Sequence, residues 1–134
     1  MAQELHRATI RVLDILECLS AASDGMTLTE LAQALSAPKS SLFPIVHTLE
    51  QRQYLQQRFG TTRYMIGPSS LVLGSAYALN SGIMAFTDVI KQVVAACQET
   101  CQLGVLDQGN VLYIAKEDSP EAIRMISRVG NRLP

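Results

Sequence analysis

The chain has 134 residues, of which 48% are hydrophobic and 17% charged, and its formal net charge at pH 7 is −1. This composition is that of a foldable globular protein, long enough for one ordinary domain or for a small domain and part of another. It excludes a disordered chain, and the lack of any run of about 20 apolar residues argues against a transmembrane span.

A first amphipathic helix is predicted over residues 5–19. Its apolar residues recur at helical spacing and define a buried side, which consists of Leu5, Ala8, Val12, Ile15, Leu16 and Leu19. The N-terminal residues mix both charges and lack the apolar stretch of a signal peptide. We therefore expect a cytoplasmic protein, with Asp24 and Gly25 forming the turn that follows the helix.

Residues 27–49 predict two short helices joined by a tight turn. Thr27 and Glu30 have the spacing of a capping box, which satisfies backbone amides at a helix start. In the turn, Ser36 occupies a position where the backbone tends to need a positive φ, and Pro38 suits the first position of the next helix. This is the layout of a helix-turn-helix, whose second helix enters the major groove of DNA.

The second helix of this pair, predicted over residues 38–52, is expected to bury one side and expose the other. Its inward residues are Leu42, Ile45, Val46 and Leu49. Its outward residues, which share a side at helical spacing, are Ser40, Phe43, Pro44 and His47. An exposed phenylalanine beside a proline has little structural purpose, which favours a binding surface over a plain helical hairpin with a solvated face.

We predict a DNA-reading set on and beside this surface: Thr27, Lys39, Ser40, Ser41, Phe43 and His47. Hydroxyl and ammonium groups donate to phosphates. Phe43 can press on a thymine methyl, and His47 can reach a base edge or a phosphate. Pro44 leaves two alternatives open, because a proline inside a helix removes a backbone hydrogen bond. Either the helix is kinked there, or its regular part begins at Ser41.

Two strands are predicted next, over residues 54–58 and 63–66, with a short turn between them. Three helices followed by a hairpin make a winged helix, and the wing is expected to span residues 56–64. We predict that Thr62 and Arg63 lie along the adjacent minor groove or backbone of the DNA. A surface hairpin without a partner is the alternative.

A boundary is predicted at Gly67 and Pro68, followed by a short helix over residues 69–79 that is apolar on most sides. Such a surface usually packs on another chain or domain, which indicates a linker and dimerisation element. The six basic and six acidic side chains of residues 1–68 cancel. A neutral DNA-binding module binds weakly alone, and pairing two modules multiplies affinity, so we expect a dimer.

The rest of the chain predicts part of an α+β domain. A long amphipathic helix is expected to carry Ile83, Phe86, Ile90, Val93, Val94, Cys97 and Cys101. Strands are expected over residues 103–107, 111–116 and 123–128. One helix on three strands is thin for an independent domain, which indicates an incomplete one.

The residues give no indication of enzymatic or metal chemistry. Three cysteines, Cys18, Cys97 and Cys101, lie in apolar stripes, which favours buried, reduced thiols. The last two are expected one helical turn apart, but neither a second such pair nor a nearby histidine completes a metal site. The only histidines are His6 and His47, and no nucleophile–base pair or phosphate-binding glycine loop is recognisable. We expect no catalysis, no metal and no cofactor.

The chain resembles the IclR family of bacterial transcription regulators in a series of segments that covers nearly all of its residues in order. In the N-terminal half these are RVLDILECL at 11–19, LTELAQAL at 28–35, APKSSLFPIVHTLEQRQYL at 37–55 and RYMIGPSSLVLGSAY at 63–77. In the C-terminal half they are LGVLDQGNVLYIAKEDSP at 103–120 and SRVGNRLP at 127–134. Each segment alone is weak evidence, whereas their combination is specific.

The resemblance implies an α+β protein with a winged helix-turn-helix over residues 1–67, a linker helix over residues 68–82 and an incomplete, sensor-type effector-binding domain over residues 83–134. It implies a transcription regulator that binds double-stranded operator DNA as a dimer or a dimer of dimers, with no membrane partner. It also implies a small organic acid or aromatic effector, with Met125 and Leu133 at pocket-lining positions.

The chain departs from the family pattern in two respects. The family usually has a His-Arg pair where this chain has Phe43 and Pro44, so we expect a different or more weakly read operator. Family members also continue well past residue 134, so we expect a truncated effector domain that binds effector poorly. The alternative function is an interaction protein that forms mixed dimers with a full-length regulator through residues 69–79.

Overall fold

The computed structural model describes residues 4–122 and 126–134. The chain divides into two compact units, Met1–Gly74 and Ser75–Pro134. The predicted α+β class is confirmed, since three helices and a hairpin are followed by further helices and a three-stranded sheet. The predicted boundaries 1–67, 68–82 and 83–134 stay predictions.

The first unit is a winged helix. Its elements are α1 (Arg7–Ala21), α2 (Leu28–Ala34), α3 (Lys39–Gln51), β1 (Leu55–Gln57) and β2 (Tyr64–Ile66). One apolar core joins them, because each helix turns an apolar stripe to the same centre. Its buried members are Ile15, Leu19, Leu31, Ala37, Leu42, Val46, Leu49, Leu55 and Tyr64.

Helix α1 begins two residues later than predicted. His6 is its N-cap, and the imidazole accepts a hydrogen bond from the backbone amide of Thr9 at 3.4 Å. The prediction that Leu5 and Ala8 lie on the buried side is wrong, since both are exposed. The core side of α1 therefore starts at Val12, which packs against the core.

The helix-turn-helix segment agrees with the sequence pattern at two of three points. The capping box is present, with the Thr27 amide 2.8 Å from Glu30 Oε2 and the Glu30 amide 3.2 Å from Thr27 Oγ1. Ser36 has φ +48°, as predicted. Pro38 is the N-cap of α3 and not its first helical residue, because its ψ of 139° is extended.

Pro44 lies inside α3, which runs without interruption from Lys39 to Gln51. The alternative that the regular helix begins only at Ser41 is therefore wrong. The Thr48 hydroxyl donates to the Pro44 carbonyl at 2.8 Å, one turn away. Since proline has no amide hydrogen, the Ser40 carbonyl lacks the donor that a helix would normally supply at position 44.

The hairpin is antiparallel, with Leu55 opposite Ile66 and Gln57 opposite Tyr64. Met26 forms a bridge with Tyr64 through two backbone hydrogen bonds, from the Met26 amide at 3.0 Å and from the Tyr64 amide at 2.8 Å. The loop before α2 is thereby attached to the base of the wing.

Helix α4 (Ser69–Asn80) confirms the predicted helix after Gly67 and Pro68. All of its residues are exposed or half-buried, although its sequence is mostly apolar. Its large exposed side chains are Leu71, Val72, Leu73, Tyr77 and Leu79. Within the described residues, no helix is long and apolar enough to cross a membrane.

The second unit places one helix on a three-stranded antiparallel sheet. A 3-10 turn (Ile83–Phe86) leads into α5 (Thr87–Cys97), and the sheet has the order β3 (Cys101–Asp107), β4 (Asn110–Glu117) and β5 (Arg132–Leu133). Residues 108–109 connect β3 and β4. Outside residues 123–125, the buried apolar residues of this unit are Ile83, Ile90 and Val94.

Three predictions about the second unit are wrong. The helix does not reach Cys101, because Gln98 turns left-handed at φ +60° after Cys97, and Cys101 begins β3. Cys97 is exposed, not buried, and Cys101 is only half-buried. In addition, the third strand is Arg132–Leu133 and not 123–128; residues 123–125 lie outside the described part, and 126–128 are not a strand.

Candidate nucleic-acid interface

Helix α3 presents a fixed outer surface because its inner residues are anchored in the core. Leu42 and Val46 are completely buried, and Leu49 is buried beside them. The predicted reading residues on the other side are all exposed: Lys39, Ser40, Ser41, Phe43 and His47. The predicted division of α3 into a buried and an open side is therefore confirmed, and we call the open side the reading face.

An aromatic pair occupies the middle of the reading face. The rings of Phe43 and His47, one helical turn apart, stack with centroids 5.9 Å apart and planes inclined by 18°. Phe43 remains 52% exposed despite this contact. The pair combines an apolar ring, suited to a methyl group, with an imidazole that can donate to or accept from a base edge.

Polar groups surround the start of α3. The Ser41 hydroxyl donates to the Pro38 carbonyl at 2.8 Å, so its hydrogen is used within the protein while its oxygen can still accept. Among the described residues, Lys39 has no ion-pair partner. Its ammonium group is therefore available to an anion.

The remaining predicted DNA-binding residues lie at the wing and before α2. Thr62 is exposed in the wing turn. Thr27 caps α2 and is hydrogen-bonded to Glu30. Arg63 reaches the same carboxylate, with Nη2 3.1 Å from Glu30 Oε2. Thr27 and Arg63 therefore both contact Glu30, an acidic residue that is not among the predicted DNA-binding residues.

Glu30 is held in its charged form by these contacts. The hydrogen bond from the Thr27 amide lowers the pKa of the Glu30 carboxyl below its ordinary value, and the charge of Arg63 lowers it further. Burial acts in the opposite direction but is outweighed. The contact with Arg63 is consequently between two charged groups at neutral pH.

The DNA-binding residues predicted from the sequence do not include two exposed wing residues, Arg58 and Phe59. Arg58 has a 53% exposed side chain, with Nη1 3.3 Å from Asp24 Oδ1. Phe59 next to it is fully exposed at the wing turn. The signal was present, because a cation followed by a large apolar residue is an unusual choice for a surface turn.

The predicted effector residues are not assembled into a site by the described residues. Leu133 lies in β5 opposite Val111 and is 45% exposed. Met125 lies outside the described residues. No group of three or more His, Cys, Asp or Glu side chains in the described ranges is arranged to hold a metal ion.

Relatives of the chain agree on one class of protein. Residues 8–58 match the family described as the IclR helix-turn-helix domain, and residues 77–134 match the bacterial transcriptional regulator IclR C-terminal family. The HTH-type transcriptional regulator BhcR of Paracoccus denitrificans is 33% identical over 127 residues, covering 94% of this chain and 45% of that protein. The chain spans about half the length of the curated relatives it matches.

Solved structures share the fold. An IclR transcriptional regulator from Alicyclobacillus acidocaldarius superposes with a TM-score of 0.82 at 26% identity, over 98% of this chain and 54% of that one. An IclR homolog from Microbacterium hydrocarbonoxydans, complexed with 4-hydroxybenzoate, has a TM-score of 0.81 at 22% identity, over 95% of this chain and 53% of that one. The two family matches, which together cover most of the chain, establish that it belongs to the IclR family of bacterial transcriptional regulators.

Proposed function

We propose that the protein is a DNA-binding transcriptional regulator that recognises an operator through α3 and the wing, and that it acts in the cytoplasm as a regulator and not as an enzyme. The observation that carries the proposal is the reading face. Leu42 and Val46 hold α3 by its inner side, while Phe43 and His47 remain open on the outer side. A helix fixed in this way can enter the major groove.

The reading face divides into two kinds of contact. Lys39, Ser40 and Ser41, at the start of α3, are suited to phosphate, where they position the helix without reading sequence. Phe43 and His47 are suited to base edges, with the phenyl ring against a thymine methyl and the imidazole on a purine acceptor. Thr62 on the wing and Thr27 before α2 complete the proposed set at its margins.

Replacing Lys39 with alanine is expected to weaken binding to all duplexes by a similar factor, because a phosphate contact carries no sequence information. The slope of log affinity against log salt should become shallower by about 0.9, the share of one phosphate contact. Fluorescence anisotropy with a duplex selected by this chain from a randomised pool measures both. Lys91→Ala, an exposed lysine in α5, is the control; an unchanged slope for Lys39→Ala would remove Lys39 from the phosphate contacts.

We also propose that two copies pair through α4, as a dimer or a dimer of dimers. The exposed leucines and valine of this helix form an apolar surface that water does not favour. A winged helix of zero net charge gains affinity when two copies bind a two-part operator. The same surface would serve the alternative function, a mixed dimer with a full-length regulator. Co-purification of this chain with such a regulator, together with no operator binding by this chain alone, would favour the alternative.

A charged residue in the middle of the α4 surface is expected to separate the copies. Leu71 is 73% exposed, so Leu71→Asp places a carboxylate on the proposed interface without disturbing a buried core. We expect sedimentation velocity to show a dimer for the original chain and a monomer for the variant. Leu106→Asp, at an exposed leucine of β3, should remain dimeric; a dimeric Leu71→Asp would contradict pairing through α4.

For the effector we propose a small organic acid or aromatic molecule. The support is the related structure that holds 4-hydroxybenzoate, together with the match of residues 77–134 to the C-terminal family. Met125 and Leu133 are the proposed pocket residues of this chain. Calorimetry with 4-hydroxybenzoate tests this proposal directly.

A further inference from the structure

Arg63 is tied into the protein by four contacts. Its Nε lies 3.2 Å from the Asp24 carbonyl oxygen, and Nη2 lies 3.0 Å from that of Gly25. Its Nη1 and Nη2 meet the two carboxylate oxygens of Glu30, at 3.3 and 3.1 Å. A guanidinium group has five N–H donors in a planar fork. Three of them donate hydrogen bonds here, and the contact of Nη2 with Glu30 Oε2 adds an ion pair.

These contacts join Arg63 to a distant part of the chain, residues 24–30, which contains the loop before α2 and the first turn of α2. Arg63 is separated from its partners by 33 to 39 residues. Glu30 is itself fixed by the Thr27 amide at the start of α2. The backbone bridge between Met26 and Tyr64 lies next to the side-chain contacts. The base of the wing is therefore fastened to the loop that leads into the helix-turn-helix.

Arg58 stands across the wing turn from Arg63 and is held much less firmly. The Arg58 amide donates to the Arg63 carbonyl at 2.8 Å, so the backbone of one positions the other. Among the residues that the structure describes, the Arg58 side chain has a single ion pair, with an Asp24 side chain that is 80% exposed. Exposed pairs of this kind contribute little stability, so the guanidinium is easily released to a phosphate.

We infer that Arg63 is a positioning residue that sets the wing against the start of α2, and that Arg58 supplies the phosphate contact of the wing. This inference rests on the proposed DNA-binding function. It replaces the expectation that Arg63 itself lies on the DNA, because its charge is compensated by Glu30 and most of its donors are occupied.

Lysine substitutions distinguish the two roles. Arg58→Lys keeps the charge and should bind DNA nearly as well as the original chain, whereas Arg58→Gln should make the salt slope shallower by about 0.9. Arg63→Lys also keeps the charge but cannot reproduce a four-contact fork. We expect Arg63→Lys to bind DNA about tenfold more weakly, because charged hydrogen bonds are removed. The slope of log affinity against log salt should not change. Thermal unfolding verifies that each variant is folded at the assay temperature.

Glu30→Gln supplies a test of opposite sign. Removing a negative charge from a DNA-binding surface strengthens binding if only the overall field matters. If Glu30 holds Arg63 in place, binding weakens instead, and hydroxyl-radical footprints lose the protection due to the wing while that due to α3 remains. Tighter binding by Glu30→Gln, near-original binding by Arg63→Lys, or a shallower salt slope for Arg63→Gln would each overturn the inference.

The failure of the proposed function has a different signature. If the original chain binds no selected duplex at any salt concentration, the DNA-binding proposal and the role of Arg58 fall together. The positioning role of the Arg63–Glu30 contact is then tested by measuring the unfolding free energies of Arg63→Lys, Glu30→Gln and the double variant. Effects of residues in contact are not additive, so strictly additive changes would overturn that role as well.

Discussion

Gly25→Ala is expected to destabilise the first unit by about 3 kcal/mol or more, because two costs coincide at this position. The backbone of Gly25 is left-handed, with φ +71°, where a residue with a Cβ is strained. The added Cβ would also lie 2.5 Å from the Tyr64 carbonyl oxygen and 2.8 Å from Met65 Cγ. The side chain of Met65 can move, but the Tyr64 backbone cannot do so without breaking its bridge with Met26.

Gly60→Ala is the matched control for this change. Gly60 has nearly the same φ, +72°, but nothing lies within 4 Å of the position its Cβ would take. Only the conformational cost of about 1 kcal/mol applies there. Urea unfolding of both variants separates the backbone strain from the collision. Equal losses of stability in Gly25→Ala and Gly60→Ala would show that the loop before α2 moves enough to accommodate the added methyl group.

The same position also bears on the Arg63 contacts. The carbonyl oxygen of Gly25 accepts from Arg63 Nη2, so a displaced Gly25 also displaces an anchor of the wing. Gly25→Ala should therefore weaken DNA binding even under conditions where the variant is fully folded. Gly60→Ala leaves those anchors in place.

The features that were predictable from sequence are local ones. The capping box of Thr27 and Glu30 spans four residues, and the positive φ of Ser36 follows from a turn between two helical stripes. The open side of α3 follows from helical spacing. Each of these depends on neighbours that the sequence itself places together.

The features that were missed depend on residues far apart in the chain. The sequence predicts that Arg63 lies along the DNA, and nothing nearby in sequence indicates that Glu30 is its ion-pair partner. The sequence predicts the third strand too early in the chain, because β5 is defined by pairing with β4, where Leu133 lies opposite Val111, and not by its own composition. Cys101 was counted as helical because apolar spacing continues past the left-handed turn at Gln98.

Leu42→Ala is expected to lower the free energy of unfolding by about 3 kcal/mol, since truncating a fully buried leucine removes its transfer free energy and leaves a cavity. Leu42 is 0% exposed and anchors the first half of α3 in the core. Leu13→Ala, at a 51% exposed leucine of α1, is the control and should cost less than about 1 kcal/mol. Chemical denaturation of the two variants gives the difference.

Phe43, next to Leu42 in the chain, is expected to give the reverse result if the reading face binds DNA: a loss of binding with little loss of stability. Phe43→Ala removes an exposed ring whose stacking partner is His47, so stability should change little while binding to the selected duplex falls. Replacing thymines with uracil in that duplex removes their methyl groups. Each lost methyl contact should weaken DNA binding by the original chain about fourfold, the effect of one buried methyl group. Binding by Phe43→Ala should not change. Adjacent positions of one helix then report separately on folding and on recognition. A Phe43→Ala variant as unstable as Leu42→Ala would mean that both sides of α3 are structural, and that the helix has no face to offer a groove.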